Sequence, residues 1–271
     1  MFGLERRAKD ALLDAEGNFA PKPVDTSELP WDIKLNQFVE KYSEQLHELW
    51  AQQRLAAGWG YSENYNDVER VHPLLKTYKV FTEKQKDVYR IGVREAIRAL
   101  QAWGWQVEKT KDAIVAEERI ADHRNNNMMR PGRRFSDNDD IEMEGRGHQG
   151  YLPKPFDLSS IALSRELNTV GEMLAENFHN IWARRKKIEL DEKGGQHPLC
   201  VPYDTLTAIE KERYRGKAYE LLRFMQYGGY RLVKREKDNI DHKSSQEKRF
   251  SYMRKLRIWK ISKKTETSDF G

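Results

Sequence analysis

The chain has 271 residues, of which seven are Trp, twelve Tyr and ten Phe, so it can bury a real core in one or two domains. Its single cysteine excludes an intramolecular disulfide framework and is typical of a reducing compartment, and no apolar run is long enough to span a bilayer. The net charge of +5 comes from residues 248–271, which hold eight Lys or Arg against two acidic residues. The rest of the chain is nearly neutral, which argues against nucleic-acid binding, because a nucleic-acid binder needs a basic face on its folded domain.

After a polar lead-in, residues 1–20, the same sequence motif occurs twice. Residues 21–27 read Pro-Lys-Pro-Val-Asp-Thr-Ser, and residues 153–159 read Pro-Lys-Pro-Phe-Asp-Leu-Ser, an offset of 132 positions. Further matches follow at an offset of 125: His72-Pro73 recurs as His197-Pro198, Tyr89-Arg90 as Tyr214-Arg215, and Gly104-Trp105 as Gly229-Tyr230. The change of offset indicates a seven-residue loop insertion in the first copy, and the chain is therefore a duplicated scaffold.

The first helix of each copy is predicted from apolar periodicity. Apolar residues recur at spacings of three to five from Ile33 to Trp50 in the first copy and from Leu163 to Trp182 in the second. Ser164 is the predicted N-cap of the second of these helices.

The second helix of each copy is predicted from its start signal. Thr82-x-x-Gln85 and Thr207-x-x-Glu210 both fit a capping box, in which the hydroxyl and the side chain three positions later bind backbone N–H groups. Each of these helices ends at an aromatic-glycine corner. Two short edge strands that pair with each other are predicted after these corners, at residues 106–108 and 231–233.

The simplest architecture is mainly α with minor β, in which two tandem helical hairpins are related by a pseudo-twofold axis and joined by a long flexible loop. Residues 111–150 are rich in Asn, Asp, Arg, Gly and Met, so they predict either a mobile loop or a frayed helix followed by a loop. The predicted units are a lead-in, a first repeat, a flexible phosphorylation loop, a second repeat and a basic tail, at residues 1–20, 21–110, 111–150, 151–235 and 236–271.

The paired motifs resemble the ryanodine receptor repeat. The resemblance rests on the Pro-Lys-Pro motifs, the His-Pro pairs and the sequences at residues 175–182 and 203–207. It covers residues 17–250. The chain is most similar to the third and fourth of these repeats, the phosphorylation domain of a tetrameric calcium-release channel of the sarcoplasmic or endoplasmic reticulum. The resemblance implies a non-enzymatic regulatory module on the cytosolic face of that membrane, soluble by itself and without the channel pore.

The loop between the repeats contains a kinase-target pattern. Arg133 and Arg134 precede Ser136 at positions −3 and −2, which suits a basophilic kinase of the cyclic-AMP-dependent or calmodulin-dependent type. The resemblance implies that the regulatory phosphoserines of the family lie in this same loop, where they modulate channel gating. A chance match in a basic loop is the alternative. Ser251, which follows a second basic pair, is a weaker candidate.

The C-terminal tail offers an alternative function. Residues 248–264 place apolar side chains at steps of three among basic residues, a pattern typical of helices that bind calmodulin or an anionic membrane. The competing interpretation is an unstructured, non-native terminus, because the sequence departs from the family pattern after Phe250. A truncation, a splice variant and an artefactual tail all remain open.

A further alternative is a planar small ligand bound in an aromatic cleft between the repeats. The cleft would be lined by Trp50, Trp59, Trp103, Trp105 and Trp182.

The remaining candidate groups favour structural roles. The histidines one turn before two of the tryptophans, His47 and His179, favour packing over ligand or metal binding because the duplication preserves them. The acidic rows Glu40-Glu44-Glu48 and Glu172-Glu176 are expected to be solvated helix faces. Cys200 is expected to be a buried, inert thiol. Without paired metal ligands, a phosphate-binding glycine loop or a nucleophile elbow, no metal, cofactor or enzymatic activity is predicted.

Overall fold

Five α-helices and four short β-strands make up the part of the chain that this computed structural model describes, residues 18–125 and 150–235. The prediction of a mainly helical fold with minor β-structure is confirmed. The described residues up to Leu232 belong to one compact unit. The helices are α1 (Asn36–Ala56), α2 (Glu83–Ala102), α3 (Ala113–Asn125), α4 (Arg165–Lys193) and α5 (Ala208–Tyr227). The strands are β1 (Gly60–Tyr61), β2 (Val71–His72), β3 (Trp105–Lys109) and β4 (Tyr230–Lys234).

Helix α1 begins later than its apolar pattern predicts. A 3₁₀ turn at Ile33–Leu35 precedes it, and Asp32 Oδ1 accepts a hydrogen bond from the backbone N–H of Lys34 at 2.9 Å. Ile33 is 75% exposed, so the prediction that it lies on the buried face is wrong. A 3₁₀ turn has three residues per turn, and it therefore rotates Ile33 out of the register of the helix that follows. The buried face of α1 itself starts at Phe38.

Helices α2 and α5 begin at the predicted capping boxes. Thr82 Oγ1 accepts a hydrogen bond from the Gln85 N–H at 3.3 Å, and the Gln85 side chain accepts one from the Thr82 N–H at 3.0 Å. Thr207 and Glu210 make the same two bonds at 3.3 and 2.8 Å. Ser164 caps α4, as predicted, at 3.2 Å. Each signal involves residues within one helical turn, which is why the sequence is sufficient to predict these starts.

The two repeats share one hydrophobic core. Helix α1 packs on α2, α4 packs on α5, and α2 also contacts α4. The ring centroid of Phe224 on α5 lies 5.9 Å from that of Phe38 and 5.1 Å from that of Tyr42, both on α1. Leu100 on α2 and Leu174 on α4 are completely buried in the same cluster. Neither helical pair therefore closes its core without the other.

Each repeat is preceded by a non-helical segment that binds the other repeat. We name these segments strap 1 (residues 18–27) and strap 2 (residues 151–159). In strap 1, the backbone N–H of Val24 donates to Asn177 Oδ1 on α4 at 2.9 Å. In strap 2, the N–H of Phe156 donates to Gln45 Oε1 on α1 at 2.9 Å, and its carbonyl accepts from Gln45 Nε2 at 3.0 Å. The straps are thus exchanged between the repeats.

An aromatic ring at the start of each strap stacks on a buried histidine of the other repeat. The rings of Phe19 and His179 have centroids 6.2 Å apart and an interplanar angle of 17°. Those of Tyr151 and His47 are 6.0 Å apart at 13°. Equivalent residues of the two copies therefore make equivalent contacts in both directions.

The strands that end the two repeats, β3 and β4, pair with each other, as predicted. Gly229, just before β4, has a φ of +72°. A Cβ atom at this position would lie 2.5 Å from the Cα of Ala113, the first residue of α3. The end of the second repeat and the start of α3 are therefore in direct backbone contact. Thr110 strengthens this contact, because its N–H donates to the Gly229 carbonyl at 2.8 Å.

Helix α3 occupies the first part of the segment between the repeats. Ala113, Ala116 and Ile120 are buried at spacings of three and four residues, so one face of the helix packs on the protein. A flexible loop through all of residues 111–150 is therefore a wrong prediction for α3, which is helical from Ala113 to Asn125. Residues 126–149 lie outside the described part of the chain.

Candidate functional site

The carboxylate of Glu48 binds the first residues of strap 2, at the C-terminal end of the segment between the repeats. Tyr151 Oη donates a hydrogen bond to Glu48 Oε1 at 2.9 Å, and the backbone N–H of Lys154 donates to Glu48 Oε2 at 2.7 Å. Glu48 lies on α1, so the first residues of strap 2 are fixed to the first repeat. Sequence reasoning missed this role, because an acidic row on a helix contains no signal for a partner about a hundred residues away.

The N-terminal end of the same segment is held by α3. Ile120 is 1% exposed and belongs to the shared core, so its burial stabilises the helix by about 2 kcal/mol. Lys109 Nζ lies 2.8 Å from Glu117 Oε1, and the guanidinium of Arg119 lies 5.7 Å from the ring centroid of Tyr227. Both partners of the ion pair are partly exposed, so it adds only a few tenths of a kcal/mol. The described residues on both sides of 126–149 are thus anchored on one compact unit.

The predicted phosphorylation residues lie outside the described residues. Ser136 and its recognition residues Arg133 and Arg134 fall within 126–149, and Ser251 and the predicted amphipathic tail, residues 248–264, follow residue 235. These assignments stay predictions.

The two conserved positions of the duplication, His47 and His179, are fully buried. His47 Nε2 lies 2.8 Å from the carbonyl oxygen of Lys76, and Nδ1 lies 3.0 Å from Tyr89 Oη. A neutral ring satisfies both contacts by donating from Nε2 and accepting at Nδ1. Burial lowers the pKa of His47 to about 4. His179 repeats the first contact, with Nε2 2.7 Å from the Val201 carbonyl oxygen.

The buried His47 makes stability depend on pH. Its pKa in the folded protein is about 4, below the ordinary value of 6.5, so the unfolded chain binds the extra proton between these pH values. The contribution of His47 to the free energy of unfolding should therefore have its full value above about pH 6.5. Below that pH, the free energy of unfolding should fall by up to about 1.4 kcal/mol per pH unit. Urea titrations at about pH 7, 6 and 5 measure this slope. A His47→Gln variant, which cannot titrate, should show a shallower slope, and equal slopes would contradict the assignment.

The five tryptophans of the predicted cleft are distributed over separate environments. Trp50 and Trp59 belong to a small cluster in the first repeat, and Trp103 and Trp105 pack in or against the shared core. Trp182 contacts His179 and His197 in the second repeat. The structure therefore does not bring these rings together around one ligand. Tryptophan is a common core residue, and its presence alone does not distinguish a cleft from a core.

The acidic rows on α1 and α4 are engaged in tertiary contacts and are not simply solvated faces. Glu40 pairs with Arg90 Nε, and Glu172 pairs with Arg215 Nε at the equivalent place in the second repeat, at 2.8 Å. These two carboxylate side chains are each 39% exposed, so they are solvated as predicted but are also paired across the helices. Arg90 and Arg215 belong to the Tyr-Arg pairs that recur in the sequence, which is the signal that could have identified these partners.

Cys200 is half-buried, which corrects the prediction of a buried thiol. It lines a groove of about 570 Å³ between strap 1, the C-terminal half of α4 and the loop after it. Among the described residues, the short loop after α4 leaves this face of the second repeat open, and the sequence analysis did not predict the groove. Within residues 18–125 and 150–235, no group of three or more His, Cys, Asp or Glu side chains is arranged to hold a metal. No helix in the same residues has the length and apolar character needed to cross a membrane.

The comparison with protein families agrees with the duplicated architecture. The family model of the RyR domain matches the chain twice, over residues 19–109 and 151–234, which together are more than half of its length. The first match runs from strap 1 to the end of β3, and the second runs from strap 2 to the end of β4. Each match therefore contains a strap, a helical pair and a strand. The chain belongs to the RyR domain family and carries two ryanodine receptor repeats, which are components of a calcium channel.

Proposed function

We propose that this chain is a non-enzymatic regulatory module of a ryanodine-sensitive calcium-release channel, formed by the third and fourth repeats. It acts as part of the tetrameric channel, on the cytosolic side of the sarcoplasmic or endoplasmic reticulum membrane. Its regulatory element is the segment between the repeats, which presents Ser136 to a basophilic protein kinase. The observation that carries the proposal is the anchoring of both ends of this segment, by Ile120 and by Glu48, on the unit that contains the two RyR domains.

Anchored ends matter for a phosphorylation switch. Phosphorylation of Ser136 would add about −1.5 to −2 charges to a sequence that continues with Asp137, Asp139 and Asp140. The new charge either repels this acidic run or pairs with Arg133 and Arg134. Because the segment starts and ends on the same compact unit, either rearrangement changes a docking surface at a defined place of the channel.

The exchanged straps support a rigid module. Each strap binds the opposite repeat, and the contacts of Phe156 with Gln45 and of Val24 with Asn177 are reciprocal. Such reciprocity is the relation expected of two copies about a pseudo-twofold axis. We infer that the two repeats move as one body, with no hinge between them. A change in the segment between the repeats would then shift the whole body against neighbouring channel surfaces.

Treatment of the purified chain with cyclic-AMP-dependent kinase tests the kinase target. We expect near-stoichiometric phosphate on Ser136, located by peptide mass spectrometry, and none there in a Ser136→Ala variant. The reason is that Arg133 and Arg134 supply the two cations that the acidic substrate pocket of such a kinase binds. Ser251→Ala is the matched control, since it removes the weaker basic-pair serine and should leave the modification of Ser136 unchanged.

Two outcomes would count against the proposal. An unmodified Ser136 in the presence of a fully modified control peptide would exclude this class of kinase. Identical gating of full-length channels with Ser136→Ala and Ser136→Asp would exclude the regulatory role even if the serine is modified.

A further inference from the structure

Two arginines of α2 stack on one tryptophan and have no acidic partner. The Cζ atoms of Arg94 and Arg98 lie 5.7 and 5.8 Å from the ring centroid of Trp31, which precedes α1. The indole N–H of Trp31 donates to Asn36 Oδ1 at 2.7 Å, so the orientation of the ring is fixed. In the part of the chain that the structure describes, neither arginine forms an ion pair, and the Nε atom of each is buried without a hydrogen bond. We name Trp31, Arg94 and Arg98 the arginine platform.

The neighbouring arginine of the same helix is neutralised. Arg90 lies one turn before Arg94 and pairs with three carboxylates, those of Glu40, Glu83 and Asp87. The platform has no such carboxylates. Two like charges four positions apart on a helix repel each other, so the unneutralised pair costs stability until an anion binds beside it.

The acidic residues nearest to the platform in sequence are engaged elsewhere. Glu95, which follows Arg94, pairs with Arg185 on α4 at 3.3 Å. Asp32, which follows Trp31, accepts a hydrogen bond from the Lys34 N–H at 2.9 Å. The platform therefore keeps a positive charge that these neighbouring carboxylates do not balance.

The second repeat shows that the fold itself does not require the platform. By the sequence offsets, the three equivalent residues are Leu163, Tyr219 and Arg223. Tyr219 Oη donates to Glu172 Oε1, and Arg223 Nε donates to the Ile161 carbonyl at 3.2 Å. At the equivalent place, one cation and the indole are thus absent, and the remaining arginine has a partner. The unpaired arginines on an aromatic ring are therefore a property of the first repeat.

The platform has the chemistry of a phosphate site. A guanidinium group binds an oxyanion through two parallel N–H donors. A phosphate group on a side chain offers three acceptor oxygens, which is enough for two arginines, whereas a carboxylate offers two. Stacking on the indole restrains both arginine side chains, so they lose little further freedom when an anion binds.

The helix that leads to Ser136 contacts the same end of α1 as the platform. Lys109 Nζ lies 2.8 Å from Glu117 Oε1 on α3 and 3.4 Å from Gln37 Oε1 on α1. Gln37 directly follows Asn36, the residue that binds Trp31. Ser136 is eleven residues beyond the end of α3, a length of chain that reaches up to about 36 Å when extended. The segment is therefore long enough to return to the platform.

We propose that the arginine platform is a phosphate-binding site and that its occupant is phosphorylated Ser136 of the same chain. The proposal rests on the proposed function, because it takes Ser136 as a phosphorylation site, and it names the surface that the modified segment binds. Docking would hold the segment on the first repeat, beside the start of α1. The alternative is local pairing of the phosphate with Arg133 and Arg134.

The second pKa of the phosphoserine, measured by phosphorus NMR, tests the docking. Phosphoserine is incorporated at position 136 of the full chain during translation, so the test does not depend on a kinase. The ordinary second pKa is about 6. Two bound guanidinium groups favour the dianion, so we expect this pKa to be at least about 0.5 lower in the parent chain than in an Arg94→Gln/Arg98→Gln variant.

Two further variants separate the platform from general effects of charge and folding. Arg213→Gln/Lys217→Gln removes two exposed cations at the same spacing on α5 and should keep the lowered pKa. Arg94→Tyr introduces the residue that the second repeat holds at this position, so the helix should accept it. This variant should lose at least about half of the shift, since one of the two guanidinium groups is removed.

Three results would overturn the proposal. The first is an equal phosphoserine pKa in the parent chain and in Arg94→Gln/Arg98→Gln. The second is a shift that depends on Arg133 and Arg134 instead, measured in Arg133→Gln/Arg134→Gln. The third is an unshifted phosphoserine together with Arg94-dependent binding of inorganic phosphate to the Ser136→Ala chain, which would assign the platform to free phosphate. Failure of a kinase to modify Ser136 would change none of these measurements and would count against the proposed function alone.

Discussion

A Gln45→Leu variant should unfold with a free energy about 2–4 kcal/mol lower than that of the parent chain. Gln45 is 1% exposed, and its amide binds both the N–H and the carbonyl of Phe156 in strap 2, at 2.9 and 3.0 Å. Leucine preserves the approximate size of the side chain but removes both bonds to Phe156 and a third, from Gln45 Nε2 to Glu220 Oε1 at 3.1 Å. Two polar backbone groups then lose their partner on α1 at a buried site. Urea unfolding, followed by tryptophan fluorescence, measures the loss.

The matched control is Gln52→Leu. Gln52 lies on the same helix but is exposed, so its replacement should change the free energy of unfolding by less than about 0.5 kcal/mol. If the two variants were equally stable, strap 2 would not depend on Gln45. Without its hydrogen bonds to Gln45, strap 2 should also detach more often from α1. Hydrogen exchange at residues 151–156 should therefore be faster in Gln45→Leu than in Gln52→Leu.

A Gly229→Ala variant should lose at least about 3 kcal/mol. About 1–2 kcal/mol is the cost of placing a residue with a Cβ in the left-handed region, since φ at Gly229 is +72°. The remainder arises because the new Cβ would lie 2.5 Å from the Cα and 2.8 Å from the N atom of Ala113, so backbone must move. The atoms that must move belong to the first turn of α3, and faster hydrogen exchange along α3 should therefore accompany the loss of stability.

Gly104→Ala is the control that the duplication supplies. Gly104 is the equivalent residue of the first repeat and has a similar φ of +84°, but a Cβ atom there would have no neighbour within 4 Å. This variant should show only the conformational cost, about 1–2 kcal/mol, and unchanged exchange in α3. Equal losses in the two glycine variants would mean that α3 yields without cost. The difference between them measures how firmly the second repeat holds the helix that leads to Ser136.

The local elements of this fold could be predicted because their signals are contained in neighbouring residues. The capping boxes at Thr82 and Thr207 and the cap at Ser164 are satisfied within one turn of their helices. The pairing of β3 with β4 followed from the repeated corner before each strand. The RyR domain family was also recognisable, because its long sequence motifs occur twice and in the same order.

The candidate site was predicted less completely. Glu48 and Gln45 were not identified as anchors of strap 2, because their partners lie more than a hundred residues away. The tryptophans were predicted to share one cleft, but Trp59 and Trp105 pack in different clusters. A residue type reveals that a side chain prefers burial, but it does not reveal which neighbours it will have.

The amino-acid sequence alone determined that the chain is duplicated, where most of its helices begin, and which family it resembles. Only the tertiary structure decided that the straps are exchanged, so that Phe156 binds α1 and Val24 binds α4. The two straps and the two receiving helices are near-copies, and binding within a repeat or between repeats would satisfy the same local pattern. The choice between them depends on the shared core, which holds each receiving helix next to the strap of the other repeat. No local sequence pattern specifies which strap and helix the core brings together.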